Sequence, residues 1–291
     1  MHQTLRACLW MIGTIFSFTG MAIAGRAVSL DLDTFEIMLY RSLIGIVIVL
    51  VVSSVAGTRH QIGVRKMGWH GLRNISHFAG QNLWFYSITV IPLAQVFALE
   101  FTSPLWVMLL SPLFLGERLT LGRILAASGG FLGILIVARP DPDTFHIGLV
   151  TAALAAIGFA GSAVFTRRLT RTEPITQILF WLTAMQACFG LVCAGFDGDI
   201  ALPAAASLPW IVLIACAGLV AHFCLTTALS LAPATVVMPI DFARLPVIAF
   251  VGMLLYGELL DPWVFLGAAV IFGANYLNIL HETRPRAVTK T

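Results

Sequence analysis

The sequence predicts an all-α membrane protein of ten transmembrane helices, arranged as two inverted five-helix repeats. Three observations carry that prediction. Hydrophobic residues make up 59% of the 291-residue chain and charged residues only 11%, against about 25% charged in an ordinary soluble domain. The chain also repeats itself. An offset of 141 positions carries Leu99-Glu100-Phe101 onto Ile240-Asp241-Phe242 and Gly116-Glu117 onto Gly257-Glu258. The same offset carries Pro92 onto Pro233, Val96 onto Val237 and Phe131 onto Phe272. Finally, the basic residues collect on alternate loops, as the positive-inside rule requires.

A span needs roughly 20 apolar residues to cross about 30 Å of hydrocarbon. Ten segments fit: 5–25, 34–55, 71–90, 93–115, 120–139, 146–166, 174–195, 207–230, 234–256 and 262–281. The third is the most polar, with His77, Gln81 and Asn82. Polar breaks at Arg59–His70, Asp141–Asp143 and Asp197–Asp199 mark loops, and connections are too short for an extramembrane domain. The first apolar run lacks a small-residue cleavage site before Arg26, so it reads as a retained helix.

With the N-terminus inside, the cytoplasmic side holds Arg6, Arg59, Arg65, Lys66, Arg73, Arg118, Arg123, Arg167, Arg168, Arg171, Arg284, Arg286 and Lys290. Arg26 and Arg139 lie outside, and Arg41 and Arg244 within spans. This bias places both termini in the cytoplasm of a multi-pass inner-membrane protein. Five spans per copy is an odd number, so the second copy, residues 142–291, enters the membrane upside down relative to the first, residues 1–141. Basic residues spread over five segments balance a lipid bilayer; they do not form a nucleic-acid patch.

Acids repeated at one depth of two apolar segments point to the central site of a transporter. Burying an acid at the centre of a span costs about 2.5–3.5 kcal/mol on insertion scales, so Glu100 and Asp241 need a partner, a proton or water. Either they bind substrate or a coupling proton or ion, or they pair to hold helices together. Arg244 follows Asp241 by three residues, on one helical face, as a self-neutralising pair or as two charges offered to a zwitterion. Arg41 lies at the depth of Glu100, and a partnership between them would relieve both. Gln81, Trp84 and Tyr86 join the candidates in the third span, with His77 one turn inward of Gln81. The offset carries Gln81 onto His222, which reads as a cavity residue; His77 reads first as a hydrogen-bonded core histidine, with proton exchange as the alternative.

Pro104 and Pro246 are expected to kink the fourth and ninth spans. Gly129, Gly130, Gly133, Gly267 and Gly273 allow close helix packing, or a homodimer face. The five cysteines lie in apolar stretches without metal spacing and read as small hydrophobes. No phosphate-binding loop, Ser-His-Asp arrangement or metal-ligand cluster occurs in the sequence, so neither cofactor nor metal is expected, and no enzymatic motif is present.

Pro92–Arg139, with Pro104-Leu105 and Leu115-Gly116-Glu117-Arg118-Leu119, resembles the EamA module of the drug/metabolite transporter superfamily. Tyr256-Gly257-Glu258-Leu259-Leu260 repeats it more loosely. The resemblance extends over the whole chain. It implies a central cavity lined by spans 1, 3, 4, 6, 8 and 9, with spans 5 and 10 set aside for packing, and alternating access without ATP. The Gly-Glu turns look structural. Glu100, Asp241 and Arg244 depart from the general family pattern. The mixed charges read as a site for a small polar, amino-acid-like or zwitterionic solute such as an opine-type metallophore, and the resemblance tilts the direction to export. The alternative is uptake of a vitamin-like or quaternary-amine solute stacked on Trp84, Tyr86 and Phe97. A non-transporting membrane scaffold is the reading from another class.

Overall fold

The computed structural model describes residues 2–29, 31–116, 121–139, 146–196 and 198–283. Glu117, Arg118, Asp141, Asp143, Asp197, Arg284, Arg286 and Lys290 lie outside these residues, and the side chain of Arg123 is likewise not described. The described chain is helical throughout. Its α-helices are α1 (His2–Val28), α2 (Thr34–Val55), α3 (Met67–Val90), α4 (Leu93–Glu100), α5 (Ser103–Leu115) and α6 (Leu121–Ala138). They continue with α7 (Ile147–Leu169), α8 (Ile175–Ala194), α9 (Leu208–Leu231), α10 (Ala234–Val237), α11 (Arg244–Tyr256) and α12 (Pro262–Thr283). α4 with α5, and α10 with α11, each form one broken span, which makes ten spans in all.

The 141-residue offset is structural as well as textual. It carries the bounds of α5 onto those of α11. It also carries Gly116 (φ 75°) onto Gly257 (φ 65°). Each glycine ends its helix in the left-handed conformation that a side chain disfavours. Packing follows the same symmetry: α1 lies along α9 as α3 lies along α7, while α2 packs on α8 and α6 on α12. Relating spans 1–5 to spans 6–10 interchanges the first two of these contacts and maps each of the others onto itself, the arrangement of an inverted repeat.

Among the described residues, six helical segments are each long and apolar enough to cross a membrane: residues 3–28, 34–55, the broken span 93–115, 147–169, 175–194 and 208–231. The third span has the length, but it carries His70, Arg73, Asn74, His77, Gln81 and Asn82 as buried residues. The outward faces carry exposed Leu9, Val47, Val51, Phe131, Leu132 and Leu254, an apolar surface suited to lipid. Interior packing brings backbones close. A Cβ on Gly158 of α7 would lie 2.8 Å from Gly80 Cα of α3. The glycines of α6 are used in the same way, within the chain. A Cβ on Gly133 would lie 2.5 Å from Ile271 Cγ1 and 2.8 Å from the Gly267 carbonyl oxygen. Gly133 and Gly267 thus use their missing side chains in the packing of α6 on α12.

The two broken spans correct the expectation of proline kinks. The chain leaves the helix at Phe101–Thr102, and Pro104 stands in the first turn of α5, where a missing N–H costs nothing. In the second repeat a 3₁₀ segment, Met238–Ala243, precedes α11, and Pro246 sits in the first turn of α11. The prolines therefore start half-helices. Glu100 is the last residue of α4, and Asp241 lies in the 3₁₀ segment.

Candidate functional site

The helix breaks bring acids from both repeats to one cation. Arg244 Nη2 donates to Glu100 Oε1 at 2.6 Å and to the Asp241 carboxylate, and Trp84 Nε1 donates to Glu100 Oε2 at 2.8 Å. Arg244 is 1% exposed and Asp241 8%. The guanidinium carbon lies 4.7 Å from the Phe97 ring centroid and 5.1 Å from that of Phe18, so aromatic faces hold the cation as well as the carboxylates do. Burial of this cluster is tolerable only because each charge has a partner.

The cluster forms one wall of a narrow cavity of about 60 Å³. α1 contributes Thr14 and Phe18, α7 contributes Phe159 and Thr166, and α9 contributes His222 and Thr226. α3 presents Arg73, His77, Gln81 and Trp84, a stripe at helical spacing. The fourth and ninth spans supply Glu100, Phe101, Asp241 and Arg244. The lining thus comes from spans 1, 3, 4, 6, 8 and 9. His77 and His222 meet edge to face, ring centroids 4.6 Å apart. The Nε2 atoms of both are buried and have no hydrogen-bond partner among the described residues, and the same is true of Asp241 Oδ1 and Arg244 Nε.

Of the residues singled out by sequence, Glu100, Asp241, Arg244, Gln81, Trp84, His77 and His222 line this one cavity. Arg41 does not pair with Glu100 as expected. Its guanidinium donates to Gln81 Oε1, and it lines a small adjoining void with Gln186 and His222. Arg41 therefore sits behind the wall and holds Gln81. Tyr86 turns away and is 39% exposed. Two positions beyond Trp84 is about 200° around a helix, so both cannot face inward. Phe97 is buried against Trp84 and Arg244 and is absent from the cavity lining.

Arg73 is a cavity residue absent from the sequence candidates. Its position beside a basic loop read as a topology signal, yet it is 1% exposed. Its Nε donates to Thr166 Oγ1 at 3.2 Å and its Nη1 to Asn74 Oδ1 at 2.9 Å. The signal was present: Arg73, His77 and Gln81 are spaced at i, i+4 and i+8. Glu258, set aside as a structural turn residue, has a structural task. It pairs with Arg26 and accepts a 2.9 Å bond from the Leu93 backbone N–H at the start of α4. Among the described residues, no group of three or more His, Cys, Asp and Glu is placed to hold a metal ion.

Comparison with known proteins agrees with this architecture. The EamA-like transporter family matches twice, over residues 5–139 and 146–280. A riboflavin transporter of Vibrio cholerae is 28% identical over 93% of this chain and 91% of its own length. One from Brucella anthropi is 32% identical over 82% of this chain and 85% of its own. An S-adenosylmethionine uptake transporter of Rickettsia felis is 22% identical over 94% and 92%. A solved crystal structure shares the fold, with a TM-score of 0.70 at 17% identity, over 97% of this chain and 99% of that one. A duplicated helical fold, a buried cavity holding charged residues of both halves and two family matches spanning nearly the whole chain lead to one conclusion: this is a multi-pass membrane transporter, not an enzyme, and it belongs to the EamA-like transporter family.

Proposed function

We propose that this transporter takes up a vitamin-like heteroaromatic solute of the flavin class by alternating access, through the cavity between its repeats. The observation that carries the reading is its similarity along most of its length to riboflavin transporters. The cavity suits such a solute. Phe18, Trp84, Phe101 and Phe159 give it aromatic walls that can stack on a planar ring. Thr14, Gln81, Thr226 and the unpartnered histidine nitrogens offer hydrogen bonds to a hydroxylated substituent. The zwitterion-export reading is the weaker one. Glu100, Asp241 and Arg244 largely satisfy one another, so the mixed charges that motivated it already have partners within the protein, and the relatives in question are described as transporters of riboflavin or as uptake proteins.

S-adenosylmethionine is the second reading. It is favoured by the similarity to uptake transporters for that compound and by two carboxylates facing one guanidinium in the cluster, a balance suited to a cationic solute. Inner-membrane location with both termini in the cytoplasm belongs to the same proposal and rests on the distribution of basic residues. Expression in a bacterium auxotrophic for riboflavin and lacking its own flavin uptake tests the first reading. Restored growth on low external riboflavin, with accumulation of labelled riboflavin, is expected. Labelled S-adenosylmethionine accumulating instead favours the second reading, and neither solute accumulating despite membrane-inserted protein refutes both.

A further inference from the structure

We propose that Asp241 and Arg244 together hold the edge of a planar heterocycle where an N–H donor adjoins an acceptor, as in the imide edge of a flavin ring. The assignment rests on the flavin reading and specifies how the ring is oriented. The two residues stand three positions apart, Asp241 in the 3₁₀ segment and Arg244 as the first residue of α11, and both line the cavity. Their mutual contact uses one carboxylate oxygen and one guanidinium nitrogen, Asp241 Oδ2 and Arg244 Nη2. Among the described residues, Asp241 Oδ1 and Arg244 Nε remain buried without partners. Buried groups left in that state are costly, and a ligand that satisfies both gains accordingly.

The chemistry of the two atoms makes the demand directional. An ionised carboxylate only accepts and a guanidinium only donates. The ligand must place a hydrogen opposite Asp241 and a lone pair opposite Arg244. A free carboxylate satisfies only Arg244; a quaternary amine satisfies neither by hydrogen bonding. An imide, with N–H beside C=O, satisfies both. The pair is also held in place before a ligand arrives. Glu100 accepts from Arg244 and is itself fixed by Trp84, while Phe18, Phe97 and Phe101 surround the guanidinium. Such preorganisation lowers the cost of binding.

Methylation of the flavin imide nitrogen removes the donor, so 3-methylriboflavin is the diagnostic probe. Purified wild-type protein in lipid nanodiscs is titrated with riboflavin and with 3-methylriboflavin, followed by flavin fluorescence. The methylated compound is expected to bind at least about tenfold more weakly, the loss of a charge-assisted hydrogen bond. Asp241→Asn separates this from mere crowding. The amide must turn its oxygen toward the Arg244 donor, which leaves its NH₂ facing the imide N–H, donor against donor. Riboflavin affinity is then expected to fall about tenfold and the preference over 3-methylriboflavin to vanish. Equal binding of the two flavins by the wild type overturns the assignment while leaving the flavin reading intact. So does an undiminished preference in the isosteric variant, which marks a size effect alone. Should the variant not yield monodisperse protein, equal binding of the two flavins by the wild type still overturns the assignment. Binding of neither flavin overturns the flavin reading and this assignment with it.

Discussion

Glu100, Asp241 and Arg244 share one burial problem, and the consequences of mutating them differ from those of a simple pair. Either acid can be neutralised while Arg244 keeps a carboxylate partner. Glu100→Gln and Asp241→Asn are therefore each expected to insert and purify as monodisperse protein, with solute uptake reduced about tenfold or more. Normal uptake by both would show that the acids serve only packing. Neutralising both at once leaves a buried, unpaired guanidinium. Breaking such a partnership costs about 3–5 kcal/mol, so the double variant should fail size-exclusion and thermal-melt criteria that both single variants pass. Arg244→Met alone leaves two acids uncompensated, and restoring the fold requires both Glu100→Gln and Asp241→Asn. The two acids and their repeated depth are legible from sequence alone. Their common partner is not, because Glu100 and Arg244 meet only when the fourth and ninth spans are packed together. The expected pairing of Arg41 with Glu100 failed for the same reason: equal depth in two helices says nothing about which faces turn toward each other.

Among the helices, the repeat offset anticipates structure closely, from the bounds of α5 and α11 to the left-handed glycines that end them. Less legible are the interruptions before α5 and α11. Apolar composition runs continuously through 93–115 and 234–256, and hydropathy does not register a local change in hydrogen bonding. The prolines were the available signal, but they mark first turns of new helices where kinks were expected. Arg73 shows a related ambiguity, since a basic residue at a helix end serves a topology argument and a cavity argument equally. The glycines of α6 and α12 lend themselves to a direct check. Gly133→Ala places a Cβ against the Gly267 carbonyl oxygen and Ile271, so it should destabilise the protein by about 1–3 kcal/mol, read as a lower melting temperature in detergent. Gly273→Ala, where a Cβ would meet nothing within 4 Å, should change stability by less than about 0.5 kcal/mol.

Across the whole molecule, the two halves meet at the cavity and are tied on the side predicted to be extracytoplasmic. Arg26 and the start of α4 both bond Glu258, and Arg139 pairs with Asp261. The sequence likewise places all four charged residues on one side of the membrane. A reporter fused after Thr291 is expected to behave as cytoplasmic, and periplasmic activity there would reverse the orientation. Alternating access requires the Arg26–Glu258–Leu93 tie to open when the cavity faces outward. Glu258→Gln removes the ionic part of that tie, so it should speed the labelling, by membrane-impermeant thiol reagents, of a cysteine introduced at Leu93 in a cysteine-free background. An unchanged labelling rate would show that the tie does not gate access. The proposed uptake of a flavin-like solute through the interface of the repeats, which rests on similarity to riboflavin transporters, is tested most directly by uptake of labelled riboflavin into liposomes reconstituted with the purified protein. Saturable accumulation above protein-free liposomes, competed by unlabelled riboflavin and reduced about tenfold or more by Glu100→Gln, is the expected result; accumulation no greater than in protein-free liposomes, with correctly inserted wild-type protein, would contradict it.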